Sequence, residues 1–181
     1  PMGDGAAAAV LCSERYLKSQ PATVQDRAVR IRAIGMSGGK YRKLDEPSLT
    51  QTAADRAYAM AGIGPRDVDL AEVHDATSFC ELYQCEMMRF CDIGEGGAFV
   101  GSGATKIGGE IPVNTSGGLV SKGHPIGATG ISMCFELATQ LRGEAGDRQV
   151  KDATIALQEN GGGIIGLEEA AAAVVIYDKV R

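Results

Sequence analysis

Asn114-Thr115-Ser116-Gly117-Gly118-Leu119-Val120-Ser121-Lys122-Gly123-His124-Pro125-Ile126-Gly127-Ala128-Thr129-Gly130 sets one of the chain's two histidines between a glycine and a proline, directly ahead of a stretch with helical periodicity. The glycines let backbone and substrate approach closely, and Pro125 stiffens the turn. A helix starting near Gly127 would aim unpaired N–H groups and the positive end of its dipole at whatever occupies the loop. Such a wall suits developing negative charge. The residues Gly123-His124-Pro125 by themselves also fit a tight connection in which the histidine caps a neighbouring carbonyl.

Beyond that loop, Ile131, Cys134, Leu137, Ala138 and Leu141 recur on one face and predict a helix over 127–141. Two strands follow, Ala153 to Leu157 and Ala170 to Tyr177, separated by Gly161-Gly162-Gly163 and read as an antiparallel hairpin. Upstream, the alternation in Val29 to Ile34 marks a strand that a turn at Gly35 to Gly39 should end. Leu49, Ala53, Ala57, Met60 and Ala61 predict a helix over 48–61, with Pro47 at its start and Gly62 and Gly64 past its end. Val68 to Val73 reads as a short strand leading into His74. An amphipathic helix over 78–90 follows it, with Phe79, Leu82, Met87 and Phe90 as core positions. The small-residue run Gly3 to Leu11 reads as a buried strand. Alternating strands and helices with a terminal strand pair give an α/β fold, a mixed sheet covered by helices on both faces.

The second histidine stands in Val73-His74-Asp75-Ala76-Thr77, at the end of the predicted strand. A strand-end histidine often does no more than satisfy local hydrogen bonds. Two imidazoles facing one place, however, would hold a thioester oxygen or an ordered water.

The full run from Asn114 to Gly130 resembles the thiolase superfamily, whose members make or break carbon–carbon bonds beside acyl-CoA thioesters. Asp4-Gly5-Ala6-Ala7-Ala8 resembles a segment at the end of the first half of such enzymes. The resemblance covers nearly the whole chain, as the C-terminal part of a thiolase, and is closest to the sterol-carrier-type branch with its His-Asp-Cys-Phe motif. It implies that residues 1–45 are the end of the N-terminal half and its connection, and residues 46–181 a thiolase-like C-terminal domain. It also implies that Val73 to Thr77, the Gly123-His124-Pro125 loop and Gln158-Glu159-Asn160-Gly161-Gly162-Gly163 converge. Each lies where a strand ends, the edge at which sites form in open α/β sheets.

By the same resemblance His124 helps form an oxyanion hole and assists a nucleophile. His74 borders the site with Asp75 as an orienting carboxylate, and Ser116, Gly117, Gly123 and Gly127 line the acyl-CoA side. Coenzyme A thioester would be a substrate, with no resident cofactor and no metal. Departures from the family pattern are equally informative. Ala76 stands where the sterol-carrier branch has an acid/base cysteine, and Thr77 replaces the aromatic after it. The late glycine-rich segment lacks the cysteine of conventional thiolases. Glu159 there occupies the histidine position of a Gln-His-Asn run, where a carboxyl with a raised pKa would serve as acid or base. Cys80, one turn after Ala76, and Tyr83 are further proton donors, each also readable as core packing. The nucleophilic cysteine of the family lies in the first half, and none of the five cysteines here matches its motif.

Composition narrows the classes further. With 44% hydrophobic and 23% charged residues the chain is neither disordered nor membrane-like. A formal charge of −5 without a Lys/Arg cluster argues against nucleic acid as a partner. Five cysteines with no CxxC pairing disfavour zinc and disulfides, pointing to reduced thiols in a cytoplasmic setting. No signal or transit sequence is visible, and a chain that opens on core-like residues reads as the back part of something longer. Three readings follow. The first is an acyltransferase acting by Claisen condensation or thiolysis of 3-oxoacyl-CoA, inert without its N-terminal half and assembled as a homo-oligomer. The second is a retro-aldolase on acyl-CoA side chains beside a zinc-ribbon/OB-fold protein, and the third a non-catalytic thiolase-like scaffold.

Overall fold

The computed structural model describes residues 3–180. Among them lie, in chain order, α1 (Glu14–Leu17), α2 (Ala22–Gln25), β1 (Val29–Gly38), α3 (Leu49–Ala61), β2 (Leu70–Glu72), α4 (Ser78–Met87), α5 (Gly96–Gly101), α6 (Gly118–Lys122), α7 (Ile126–Arg142), β3 (Ile155–Gly162) and β4 (Ala171–Lys179). The strands form one mixed sheet in the order β1-β4-β3-β2, antiparallel except for the parallel β3 and β2 pair.

Side chains alternate across β3 and β4, so each strand feeds two cores. Leu157, Val174 and Ile176 pack with Ala33 and the alanines of α3 on one face. Ala156 and Tyr177 pack with Leu70, Leu137 and Leu141 on the other, beneath α7. This is the α/β layering that the residue pattern predicts, with the β3–β4 hairpin antiparallel as expected. Among the described residues no helix is long and apolar enough to cross a membrane.

Helix α3 begins where the Ser48 hydroxyl accepts from Gln51 N–H (2.9 Å) and ends at Gly62, whose φ of 65° is the left-handed conformation that stops a helix. Ala53, Ala54 and Ala57 on its buried face let it lie very close to the sheet. That closeness corrects one expectation. The strand does not end at a turn over Gly35 to Gly39 but continues to Gly38, because Gly35 is there for contact: a Cβ on it would lie 1.9 Å from the Ala53 carbonyl oxygen.

Three other expectations are corrected. Gly3 to Leu11 lies in no strand and is not buried, with Val10 and Leu11 at 98% and 78% exposure, since among the described residues no backbone pairs with it. Met60, Phe79 and Ile131 sit at helical core spacing yet face outward, the packed stripe on each helix being narrower than its apolar stripe. Helix α4 stops at Met87, where Arg89 turns the chain with a φ of 61°.

Candidate active site

Three parallel segments run side by side toward one edge of the molecule. β2 runs beside β3, and on its other side the chain at Val113 bridges in parallel to Ala71, with Ala71 N–H donating to Pro112 O and Asn114 N–H to Ala71 O. Two of the segments singled out in the sequence leave from these ends, His74 after β2 and the Asn114 to Gly130 loop after the bridge; the third corrects the expectation, because Glu159 lies inside β3, which stays paired with β4 as far as Gly162 instead of ending at Leu157.

The two histidines meet there. Nε2 of His74 lies 3.3 Å from Nε2 of His124, the ring planes crossing at 75°. Both rings are half-buried. Burial, and after it the neighbouring imidazole, pushes the His74 pKa down, which favours its neutral form. The Nδ1 of His124 lies 2.7 Å from the Thr129 hydroxyl in the first turn of α7. Helix α7 begins at Ile126, beside the ring, so its N-terminal dipole end faces this place.

Around the pair, buried acceptors hold the main chain. Glu159, with no exposed surface, accepts the His74 N–H on Oε2 (2.9 Å). Its other oxygen has no hydrogen-bond partner among the described residues, and burial pushes its pKa up to about 8. The Asn114 side chain accepts the Val73 N–H (2.8 Å) from a residue at φ 54°. Glu72, fully buried at the end of β2, accepts from both Ser116 N–H (3.0 Å) and the Ser116 hydroxyl (2.6 Å), with Lys122 Nζ at 3.6 Å; burial raises its pKa.

Asp75 is buried, and its Oδ1 accepts the Leu119 N–H (2.7 Å) at the start of α6. Its carboxyl rests on Gly118, where a Cβ would come within 2.0 Å of it. Desolvation raises its pKa against the pull of that backbone N–H. Asp75 therefore holds the loop, its carboxylate facing the Leu119 N–H and not the His74 ring.

The glycines of the loop divide by task. Gly117 and Gly123 take φ values of 96° and 93°, conformations that need glycine, and Gly127 faces open space. Ser116 is committed to Glu72 and Lys122. Cys80 pairs with the Thr77 hydroxyl (3.2 Å), and Tyr83 stacks on Phe79 and meets Arg42. Ala76 offers no polar group. Sequence reasoning missed Thr129, Glu72 and Asn114. A glutamate inside the apolar run Leu70-Ala71-Glu72-Val73 was a legible signal of a buried partner.

Comparison with known proteins identifies the family. The profile described as "Thiolase C-terminal domain-like" matches residues 40–178. The chain is 44% identical to Sterol carrier protein 2 of Oryctolagus cuniculus, over 98% of this chain and 32% of that protein. It is 41% identical to an Acetyl-CoA acetyltransferase of Methanothermobacter thermautotrophicus, over 99% of this chain and 46% of that one. The chain thus spans 32% and 46% of the length of these two relatives. Among solved structures the Ltp2-ChsH2(DUF35) aldolase superposes with a TM-score of 0.71 at 23% identity, covering 84% of this chain and 40% of that one, a likeness of fold. With its profile match and these relatives, the chain belongs to the thiolase C-terminal domain-like family.

Proposed function

We propose that this chain is the C-terminal half of a thiolase-like acyl-CoA enzyme that makes or breaks a carbon–carbon bond next to a coenzyme A thioester. The observation that carries the reading is the meeting of His74 and His124 Nε2 atoms, 3.3 Å apart, at the N-terminal end of α7. An electron-rich oxygen placed there meets imidazole N–H and a helix dipole in a half-buried setting, where such donors stabilise charge more than in water. A neutral imidazole also offers a lone pair for a proton. The nucleophilic cysteine and the rest of the acyl-CoA pocket come from the N-terminal half, in a homo-oligomeric enzyme of the cytoplasm.

The test uses the full-length protein. Purified enzyme is supplied with 3-oxoacyl-CoA and free CoA, and the shortened acyl-CoA is quantified. Turnover that depends on both His74 and His124 supports the reading. Thioester hydrolysis alone, or turnover untouched by loss of either histidine, defeats it.

A second reading is favoured by Ala76. The side chain at this place, two residues after His74, has no proton to give, which suits retro-aldol cleavage of a 3-hydroxyacyl-CoA, with a zinc-ribbon/OB-fold protein as partner. Cleavage of 3-hydroxyacyl-CoA without free CoA selects it over thiolysis. Acyl-CoA binding without turnover in either assay assigns the protein to a non-catalytic role.

A further inference from the structure

We infer that Thr129 is a positioning residue that locks the two histidines into complementary tautomers, making His124 Nε2 the lone-pair side of the pair and His74 Nε2 the N–H side. The inference rests on the proposed site for its functional meaning, but its argument is a count of protons.

Thr129 is buried at 2% exposure, and its hydroxyl has two neighbours: the Pro125 carbonyl oxygen at 3.1 Å and Nδ1 of His124 at 2.7 Å. A hydroxyl has one proton to donate and lone pairs with which to accept. If that proton goes to Pro125, in the i−4 bond a helical threonine readily makes, the hydroxyl accepts from His124 and Nδ1 carries the ring proton. Neutral His124 then has a bare Nε2. His74 Nε2, 3.3 Å away, must supply the proton of that contact.

The opposite arrangement is worse by one orphan. Were Thr129 to donate to His124 Nδ1, His124 would carry its proton on Nε2 and point it at His74. Neutral His74 would then hold its own proton on Nδ1, a nitrogen with no hydrogen-bond partner among the described residues. A partly buried N–H left without an acceptor costs more than a lone pair left without a donor. Only the first arrangement donates all three protons within the protein: Thr129 to Pro125, His124 to Thr129, His74 to His124.

The consequence is a division of labour. His124 Nε2 takes a proton first, from a thiol or from the carbon next to the thioester. Its Nδ1 keeps its own proton, donated to the Thr129 hydroxyl, and the imidazolium so formed has an Nε2–H for the substrate oxygen. His74, neutral throughout, offers its Nε2–H to that oxygen once His124 no longer accepts it. The sequence-based role of His124 as an oxyanion donor thereby becomes its second role, reached only after protonation.

Long-range proton–nitrogen correlation spectra of the histidine-labelled full-length protein, recorded at mildly alkaline pH, read tautomers directly. His124 signals are assigned by their loss in His124→Asn. The expected result is a protonated Nδ1 and bare Nε2 for His124, and the reverse for His74. Thr129→Ser should retain that pattern, and Thr129→Val, which keeps the shape but removes the hydroxyl, should abolish it and lower kcat roughly two- to tenfold with little change in KM, the range one net hydrogen bond allows. A wild-type His124 protonated on Nε2, or a valine variant with an unchanged spectrum, overturns the inference. Because the spectra are taken without substrate, absent turnover with the expected tautomers would sink the proposed function and leave the role of Thr129 intact.

Discussion

Replacing Glu159 with glutamine should make the protein more stable in alkaline solution and leave it nearly unchanged in acid. Glu159 has no exposed surface, its one hydrogen-bond partner among the described residues is the His74 N–H, and burial lifts its pKa from 4.5 to about 8. The folded-state value lies above the unfolded one, so the folded protein holds this proton more tightly than the unfolded chain. Below about pH 4.5 both states are protonated and the group imposes no penalty. Between about 4.5 and 8 the unfolded chain ionises while the folded protein does not, and stability falls by about 1.4 kcal/mol per pH unit. Above about 8 the loss is complete, on the order of 5 kcal/mol, comparable to the whole stability of a marginal domain.

Glutamine keeps an oxygen for the His74 N–H and removes the ionisation. Urea unfolding of both proteins from pH 5 to pH 9 measures the difference curve, in which the other buried carboxyls, Glu72 and Asp75, cancel. The variant should gain on wild type steadily across that window and level off near its top. A stability difference that is the same at pH 5 as at pH 8 would refute the assignment of a buried, protonated carboxyl at this place.

Other outcomes follow from the same geometry. His124→Ala in the complete enzyme should lower turnover by at least about tenfold, the lower range for losing a group that faces developing negative charge, measured as kcat on the preferred acyl-CoA. Gly35→Ala should cost about 3 kcal/mol or more by urea unfolding, because its Cβ would sit 1.9 Å from the Ala53 carbonyl oxygen, which cannot step aside without shifting α3. Asp75→Ala should cost about 1–3 kcal/mol in the same assay by leaving the Leu119 N–H without its acceptor, and should speed amide exchange at Leu119.

The parts of the fold legible in the sequence are those written in local periodicity. Helices α3 and α7 and the β3–β4 hairpin each bury a face on a neighbouring layer, and that burial imposes a repeat that any window of the sequence displays. Gly35 was misread for a reason of the opposite kind. Its glycine answers to a helix carbonyl 18 positions downstream, and nothing nearby in sequence distinguishes close approach from a turn. The run Ala6 to Leu11 has the composition of a strand, but a strand needs a partner, and partnership is not a property of the segment. For the candidate site, the loop around His124 and the strand end at His74 were visible as motifs. Their meeting was implied by resemblance, and the groups that arrange it, Glu72, Asn114 and Thr129, act across 44, 41 and 5 positions and carry no local signature beyond a charge within an apolar run.

What brings the two imidazoles together is a set of buried acceptors that all do one thing. Glu72 takes the Ser116 N–H, Asp75 the Leu119 N–H, Glu159 the His74 N–H and Asn114 the Val73 N–H. Each ties one loop at the strand ends to another through the main chain, supplying the hydrogen bonds that irregular backbone cannot get from helix or sheet. The solution has a cost, since burial raises the pKa of all three carboxyls. It is tolerated because side-chain acceptors can fix a loop in a shape that no regular element has, and a 3.3 Å approach of two rings from segments 50 residues apart requires such a shape. Stability is thus given up at the strand ends in exchange for placement. The alkaline weakness expected of Glu159 and the site geometry are therefore one feature measured in two ways.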